Sequence, residues 1–352
     1  MFDIPLKEIL AQLKRDLIGK DSHRGVTLTY AWLANQFGHI ALGFIPSFVV
    51  YLLLNRYAQW ERPAFLAAVI ISSVWLLFEI YNFLAPLLSK RSPKAQSVFL
   101  GGRKYTFKPR WGFIAFDTST DVLFFILGSF ACASLINPVF WWNIFIVILV
   151  QIILLYPMVY WFTSKVYLMN AGFPMQFRLS QWDRSITPTD VQDVSDFISS
   201  EAPQHLLLFG SRGSGKSSLA VGIACDLTTQ TNRKKCTYDT GIKLFPRFFQ
   251  ESDAFDSPFL WNWSDCDCLV VDDINPGLPM TIDLVSPSAF LAFVEHDTFG
   301  ERNKEILNSR KVIWVMGEIL TGTKEHINNW QSVLRTLGVD ENNIVVVDLT
   351  DA

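Results

Sequence analysis

Charge is scarce in this sequence. Lys, Arg, Asp and Glu together make up 18% of its 352 residues, against about 25% in an ordinary soluble chain. That scarcity excludes a disordered polypeptide. With half of the residues apolar and a mean hydropathy of +0.25, it also argues against one soluble domain, whose single core could not hide so much apolar surface. Cysteine is thin too. The five thiols, Cys132, Cys225, Cys236, Cys266 and Cys268, form neither a disulfide framework nor a paired CxxC zinc arrangement. Cys132 falls in an apolar run, and Cys266 and Cys268 flank a strand-like one, so reduced core thiols in a cytosol-facing protein are expected.

A basic surplus is missing where nucleic acid would need it. Residues 1–175 hold 15 Lys+Arg and 8 Asp+Glu, a net +7, whereas residues 176–352 hold 15 and 25, a net −10. Non-specific binding of a phosphate backbone depends on Lys and Arg releasing counterions, so nucleic acid is not an expected partner of the acidic half.

What is present, first, is apolar sequence of membrane length. Four stretches, near 29–54, 64–88, 119–137 and 139–163, approach the roughly 20 residues a helix needs to cross hydrocarbon. The first is interrupted by Asn35, Gln36 and His39, which leaves its start the least defined boundary. The 27 residues ahead of it are polar and charged, and the run that follows is too long for a signal-peptide core. Anchoring spans are therefore expected.

Basic residues are retained on the cytoplasmic side. Lys7, Lys14, Arg15, Lys20 and Arg24 precede the first span, and Lys90, Arg91, Lys94, Arg103, Lys104, Lys108 and Arg110 follow the second. The loop after the first span has only Arg56 and Arg62, partly offset by Glu61, and the Asn137-Pro138 turn has none. Both termini and the central loop are thus expected inside; the low Lys content of the extramembrane half and the absence of a eukaryotic targeting signal add the expectation of a bacterial inner membrane. Trp60, Trp111, Trp141, Trp142 and Trp161 lie near span ends, where amphipathic rings prefer the headgroup level. Glu79 reads as the one acidic residue inside a span, costly unless it faces the bundle or is protonated. It reads either as part of a proton or ion path or as a packing hydrogen bond with a neighbour such as Asn82; His39 and Gln151 read as structural.

After Lys165 the composition changes. Met169 to Pro188, with Gly172, Pro174 and Pro188 among Arg178 and Arg184, reads as a linker. A helix is expected over Thr189–Ser199, its apolar face formed by Val191, Val194, Phe197 and Ile198, with Pro188 at its start. His205 to Phe209 then reads as a buried strand, followed by Gly210-Ser211-Arg212-Gly213-Ser214-Gly215-Lys216-Ser217-Ser218 and a helical run from Leu219 to Ala224. This is GxxxxGK[ST] in the strand, loop, helix context that the phosphate-binding loop requires. Glycines let the backbone approach closely and turn successive N–H groups into an anion cradle, and the helix adds its positive end. Lys216 is expected to reach the outer phosphates, Ser217 to ligate Mg²⁺ and Ser218 to contact an inner phosphate.

Cys268 to Val271 reads as a second buried strand, ending in Asp272-Asp273 where a carboxylate faces ligands bound at the strand ends. Asp272 is expected to hold Mg²⁺ through water, and Asp273 to orient or deprotonate an attacking water. Strand-like runs at Lys311–Met316 and Asn343–Val347, a weaker one at Cys236–Tyr238, and helical patterns at Ser288–His296 and Lys324–Leu337 complete a doubly wound α/β domain. The guanine-reading NKxD is lacking, because Asn303-Lys304-Glu305 has no Asp after it, and no DxxG follows Asp272. Adenine is the expected base. There is no LSGGQ-like signature of a primary transporter.

These residues resemble the AAA+ group of P-loop ATPases, more loosely the helicase-loader and transposase-helper type. The resemblance rests on Leu207–Ser218, on Thr237-Tyr-Asp-Thr leading into Leu244, and on Leu269-Val-Val-Asp-Asp273, and covers about residues 190–349. It implies arginine fingers acting between ring neighbours, for which Arg302, Arg310 and Arg335 are candidates. Three departures bear on turnover. Only Glu318 could replace the polar sensor after the fourth strand, the sequence stops after the fifth strand without a helical lid, and Asp273 stands where Glu is usual.

The expected fold is therefore an α/β P-loop NTPase domain, a five-stranded parallel sheet without a lid, joined to an all-α transmembrane four-helix region. The boundaries are a cytoplasmic segment at 1–27, spans at 28–165 with a basic loop at 89–118, a linker at 166–188 and the ATPase domain at 189–352. The expected function is that of a membrane-anchored ATP-binding protein, an ATPase or ATP-driven switch using ATP and Mg²⁺. The alternative is a nucleotide-regulated membrane effector or pore. A homo-oligomer and a protein partner at the bilayer are expected.

Overall fold

A computed structural model describes residues 7, 10, 28–58, 60–91, 98–100, 106–107, 110–175, 177–184, 186–230, 232–249, 260–275, 284–295, 298–317 and 323–350. The chain divides into two units, Met1–Lys104 with Pro109–Lys165, and Tyr105–Lys108 with Val166–Ala352.

The first unit consists mainly of four long helices: α1 (Leu28–Leu53), α2 (Pro63–Leu88), α3 (Trp111–Ile136) and α4 (Trp141–Asn170). All four are long and apolar enough to cross a membrane. Large apolar side chains such as Leu77, Val139, Ile152 and Leu155 point outward, as they do where lipid rather than water surrounds a bundle. Small residues bring α1 and α3 together. A Cβ on Gly43 would lie 2.2 Å from the Phe125 carbonyl oxygen, one on Gly128 would lie 2.0 Å from that of Ile40, and the Ser129 hydroxyl donates to the Gly43 carbonyl at 3.3 Å. A two-stranded antiparallel ribbon, Ser89–Arg91 with Val98–Leu100, follows α2.

Two helix boundaries differ from those expected. α3 starts at Trp111 rather than 119, because Asp117, Thr118 and Thr120 lower the local hydropathy without breaking the helix. Thr120 satisfies its hydroxyl on the Phe116 carbonyl one turn back, at 2.8 Å. α4 likewise runs on past 163, with Thr163 and Ser164 bonded to the Val159 and Tyr160 carbonyls. α3 also carries an acid, Asp121, which lies inside the 119–137 stretch itself and was overlooked in the sequence. His39 Nδ1 lies 3.1 Å from Asp121 Oδ1, while Asn82 reaches Glu79 at 3.5 Å.

The second unit is an α/β domain. Its five strands, β1 (His205–Phe209), β2 (Cys236–Thr240), β3 (Cys268–Asp272), β4 (Lys311–Val315) and β5 (Ile344–Asp348), form one parallel sheet in the order β2-β3-β4-β1-β5. Their continuous apolar runs suit strands covered on both faces; β1, β3 and β4 are buried throughout. The covering helices are α5 (Pro188–Ser199), α6 (Lys216–Thr229), α7 (Pro287–Val294), α8 (Gly300–Asn308) and α9 (Thr323–Thr336). The Thr187 side chain caps α5 by accepting from the Asp190 N–H. α8 had no counterpart in the sequence reading. The helical pattern expected to reach His296 ends at Val294, and His296 lies outside the described residues.

Residues 166–188, expected as a linker, pack within this unit. Val166, Tyr167, Ala171, Leu179 and Trp182 are buried, and Phe173, Phe177 and Ile186 pack on the core. Phe107, from the connection between α2 and α3, belongs to the same core, with its ring 6.0 Å from that of Trp182. All five cysteines are buried free thiols. Burial pushes the Cys225 and Cys266 thiols up to about 12.

Candidate functional site

In an all-parallel sheet every strand delivers its carboxyl end to the same edge. β1 lies inside the sheet between β4 and β5 and ends at Phe209. The chain then turns through Gly210–Gly215 and enters α6 at Lys216. The turn demands glycine most clearly at Gly215, which caps α6 at φ 91° and ψ 13°, a left-handed conformation that side chains resist. A Cβ there would also come within 2.9 Å of the Trp182 indole nitrogen. Lys216 bends back over the turn, with Nζ donating to the Gly210 and Ser211 carbonyls at 2.7 Å each.

Ser214 is 3% exposed, and its hydroxyl has no partner among the described residues. A buried hydroxyl without a partner costs about 1–3 kcal/mol, so the loop holds one polar group awaiting a ligand or water. Arg212 and Gly213 are exposed, while Ser211, Ser217 and Ser218 are partly so. Two residues outside the motif brace the loop. The Trp182 indole N–H donates to the Gly215 carbonyl at 3.0 Å, and the Arg184 guanidinium to that of Gly213 at 3.2 Å.

The acid pair reaches the same edge from β3. Register places Leu208 of β1 beside Val315 of β4, and Val271 of β3 beside Trp314. Asp272 is therefore level with Leu208, two strands away, or about 10 Å across the sheet at the usual strand spacing. Asp272 is buried. Its Oδ2 accepts from the Tyr238 hydroxyl at 2.6 Å, and its Oδ1 from the Asp273 N–H at 2.8 Å. Asp273 has φ 53°, uncommon for a residue with a side chain. Its carboxyl is raised above the ordinary aspartate range, first by desolvation and then by the charge of Asp272. Burial and Asp272 likewise push the Tyr238 phenol upward, which keeps it a hydrogen-bond donor at neutral pH.

Further polar groups gather near the strand ends. Asn275 lies 3.0 Å from His326 Nε2 and also accepts from the Gly317 N–H. It thus places an amide beside the end of β4, where Glu318 had been the candidate; Glu318 lies outside the described residues. The buried Asp239 pairs with Arg247 at 2.7 Å. Trp182 and Asn275 escaped the sequence reading, and Arg184 and Tyr238 were placed there only in a linker and a strand, without a part in the site. The pattern Phe177, Leu179, Trp182 inside a supposed linker was the one available hint.

The three candidate arginines have local partners. Arg310 donates to the Ile306, Trp263 and Cys266 carbonyls at 2.6, 3.0 and 2.8 Å and precedes β4, at the sheet edge opposite the glycine turn. Arg302 lies 4.9 Å from the Phe299 ring centroid, and Arg335 pairs with Glu341.

No protein-family model matches this chain, and comparison with curated proteins finds no relative. The functional reading therefore rests on geometry and chemistry.

Proposed function

We propose that the α/β domain binds ATP with Mg²⁺, and that the protein is a membrane-anchored ATPase or ATP-driven switch. One observation carries the reading. A glycine turn running into the start of α6, with Lys216 folded over it, shares a sheet edge with the Asp272–Asp273 pair. The donor set fits the ligand. Backbone N–H groups at a helix start suit phosphate oxygens, the hydroxyl and carboxylate oxygens of Ser217 and Asp272 suit a hard cation, and the Ser214 hydroxyl has no partner among the described residues.

In this reading Gly210–Ser218 cradle the phosphates. Lys216 exchanges its carbonyl partners for phosphate oxygens, and Ser217 and Asp272 hold the metal. Bound Mg²⁺ supplies neutralisation of the charge on the outer phosphates. Asp273, next to the metal-holding acid, accepts a proton from the attacking water. The resulting change is passed to the membrane helices or to a protein partner, within a homo-oligomer. The basic loops support a cytoplasmic α/β domain, and a bacterial inner membrane is the setting we propose for it.

A second reading has its own observation. His39 and Asp121 pair between two helices of membrane length, and ionisable groups at such depth commonly serve ion or proton movement. The membrane half would then act as a nucleotide-regulated effector or pore. Purified protein separates the two. The ATPase reading expects phosphate release abolished by Lys216→Ala and by Asp273→Asn. Nucleotide binding without turnover, accompanied by bilayer conductance, would select the effector, and unchanged ATP affinity in Lys216→Ala would defeat both.

A further inference from the structure

We propose that Tyr238 is a positioning residue for the metal-holding acid Asp272, and that its main chain joins that acid to the segment leaving α4. The inference rests on the nucleotide reading above.

Tyr238 pairs in register with Val270, two residues short of Asp272 on the neighbouring strand. Its hydroxyl nevertheless reaches Asp272 Oδ2 at 2.6 Å, a short bond of the kind a charged acceptor makes. The Asp273 N–H holds Oδ1 at 2.8 Å, so both oxygens are fixed. A carboxylate oxygen has two lone pairs, and each keeps one acceptor direction for a metal-bound water. The acid is thereby held in one orientation before the metal arrives. In metal sites, such outer partners are worth about 10–100-fold in metal affinity.

The same residue is fastened on its other side. β2 is an edge strand, and the Tyr238 N–H donates to the carbonyl of Ala171, the residue after α4, at 2.7 Å. The neighbouring contacts hold this end of the helix to the same strand. Asn170 Oδ1 accepts from the Leu260 N–H at 2.9 Å, and the Tyr167 ring lies 5.3 Å from that of Trp261. The Trp261 indole donates to the Cys236 carbonyl at 2.9 Å. Side chain on the metal acid and main chain on the helix exit thus meet in one residue. Metal bound at Asp272 adds a further partner to the carboxylate that already holds the Tyr238 hydroxyl, and so steadies the residue whose N–H fastens the helix exit.

Tyr238→Phe isolates the hydroxyl, since it keeps the ring and the bond to Ala171. Full-length protein in nanodiscs would be titrated with a fluorescent ATP analogue, first in EDTA and then against rising Mg²⁺. The expected result is metal-free affinity within twofold of wild type and a Mg²⁺ midpoint raised about 10-fold. In an Asp272→Asn background the same change should add nothing. An unchanged Mg²⁺ midpoint in folded Tyr238→Phe would overturn the inference and leave nucleotide binding standing. Failure of the wild type to bind the analogue under either condition would overturn both. Amide exchange in wild type gives a readout independent of folding in the variant. Protection of a peptide covering 236–240 should increase when Mg²⁺ joins the bound nucleotide, and equal protection with and without Mg²⁺ would refute the link to α4.

Discussion

The Trp182 indole donates its N–H to the carbonyl of Gly215, at 3.0 Å, so the residue that caps α6 is held by a side chain from the stretch between α4 and α5. Behind Trp182 stands Phe107, and beside it Thr106 donates to the Arg184 carbonyl at 2.8 Å. Since Thr106 and Phe107 lie in the connection between α2 and α3, the glycine turn is braced by chain that continues into two membrane-length helices. Trp182→Phe keeps an aromatic ring but removes the bond, worth about 1 kcal/mol, together with the pyrrole half of a buried indole. We expect nucleotide affinity to fall roughly fivefold, with the unfolding temperature lowered by the smaller ring. Phe107→Ala should cost about 3 kcal/mol of domain stability. Thermal unfolding and nucleotide titration on the same samples check the pair, and an unaltered affinity in both would show that the brace has no bearing on the loop.

Arg310 offers a decision between two roles. Its guanidinium satisfies three main-chain carbonyls from two different segments, which lose their donor together when it is removed. Arg310→Ala should destabilise the domain by about 2–3 kcal/mol while leaving nucleotide affinity per folded molecule unchanged. Arg310→Lys should not rescue it, because an ammonium cannot span the fork that a planar guanidinium covers. Full stability with lost turnover in Arg310→Ala would instead mark an arginine acting on a neighbour's nucleotide.

His205 makes the α/β domain sensitive to acid. The ring is buried beneath β1, where Nδ1 accepts from the Trp314 indole at 3.1 Å and Nε2 lies 3.2 Å from the Leu307 carbonyl. Burial drives its pKa down from 6.5 to about 4. Between those values the unfolded chain binds the proton and the folded one does not, so stability declines as pH falls from 6.5 toward 4 and then levels. The full drop is roughly 3 kcal/mol. Denaturant unfolding followed by tryptophan fluorescence at pH 7, 5.5 and 4.5 should trace it, and His205→Gln, which cannot ionise, should flatten that slope.

Local pattern and tertiary placement were not equally legible. The run His205–Phe209, the glycine turn and the acid pair announced themselves because each is written in consecutive residues, and the two strands begin and end within one position of expectation, while the helix after the turn runs on to Thr229, past the expected Ala224. Tyr238 could not be seen that way. Its bond to Asp272 exists because β2 pairs with β3, a neighbour relation set by sheet order rather than by spacing. Residues 166–188 misled for a related reason. Gly172, Pro174 and Pro188 break periodicity as a flexible tether would, yet the irregular path they allow carries Leu179 and Trp182 into the core. Asp121 was passed over because attention to apolar length hides a single acid whose partner, His39, lies on another helix.

The close crossing of α1 and α3 yields a prediction within the membrane half. Where lipid surrounds helices, burial of apolar surface gives no advantage to association, and packing of backbone against backbone carries more of the stability. Gly128 sits where any Cβ would fall 2.0 Å from the Ile40 carbonyl oxygen, and Gly43 meets α3 as tightly from the other side. Neither neighbour is a flexible side chain that could swing away. The helices must therefore separate to admit a larger residue, which also breaks the Ser129 bond to Gly43 and pulls at the His39–Asp121 pair. Gly128→Val should cost at least about 1–3 kcal/mol, the usual penalty of overpacking, and lower the yield of folded protein in detergent. Gly112→Val, at a glycine whose Cβ would meet nothing within 4 Å, should be tolerated. A cysteine pair introduced across α1 and α3 would crosslink efficiently in wild type and in Gly112→Val but poorly in Gly128→Val. Equal crosslinking in all three would mean that this crossing does not depend on the glycine.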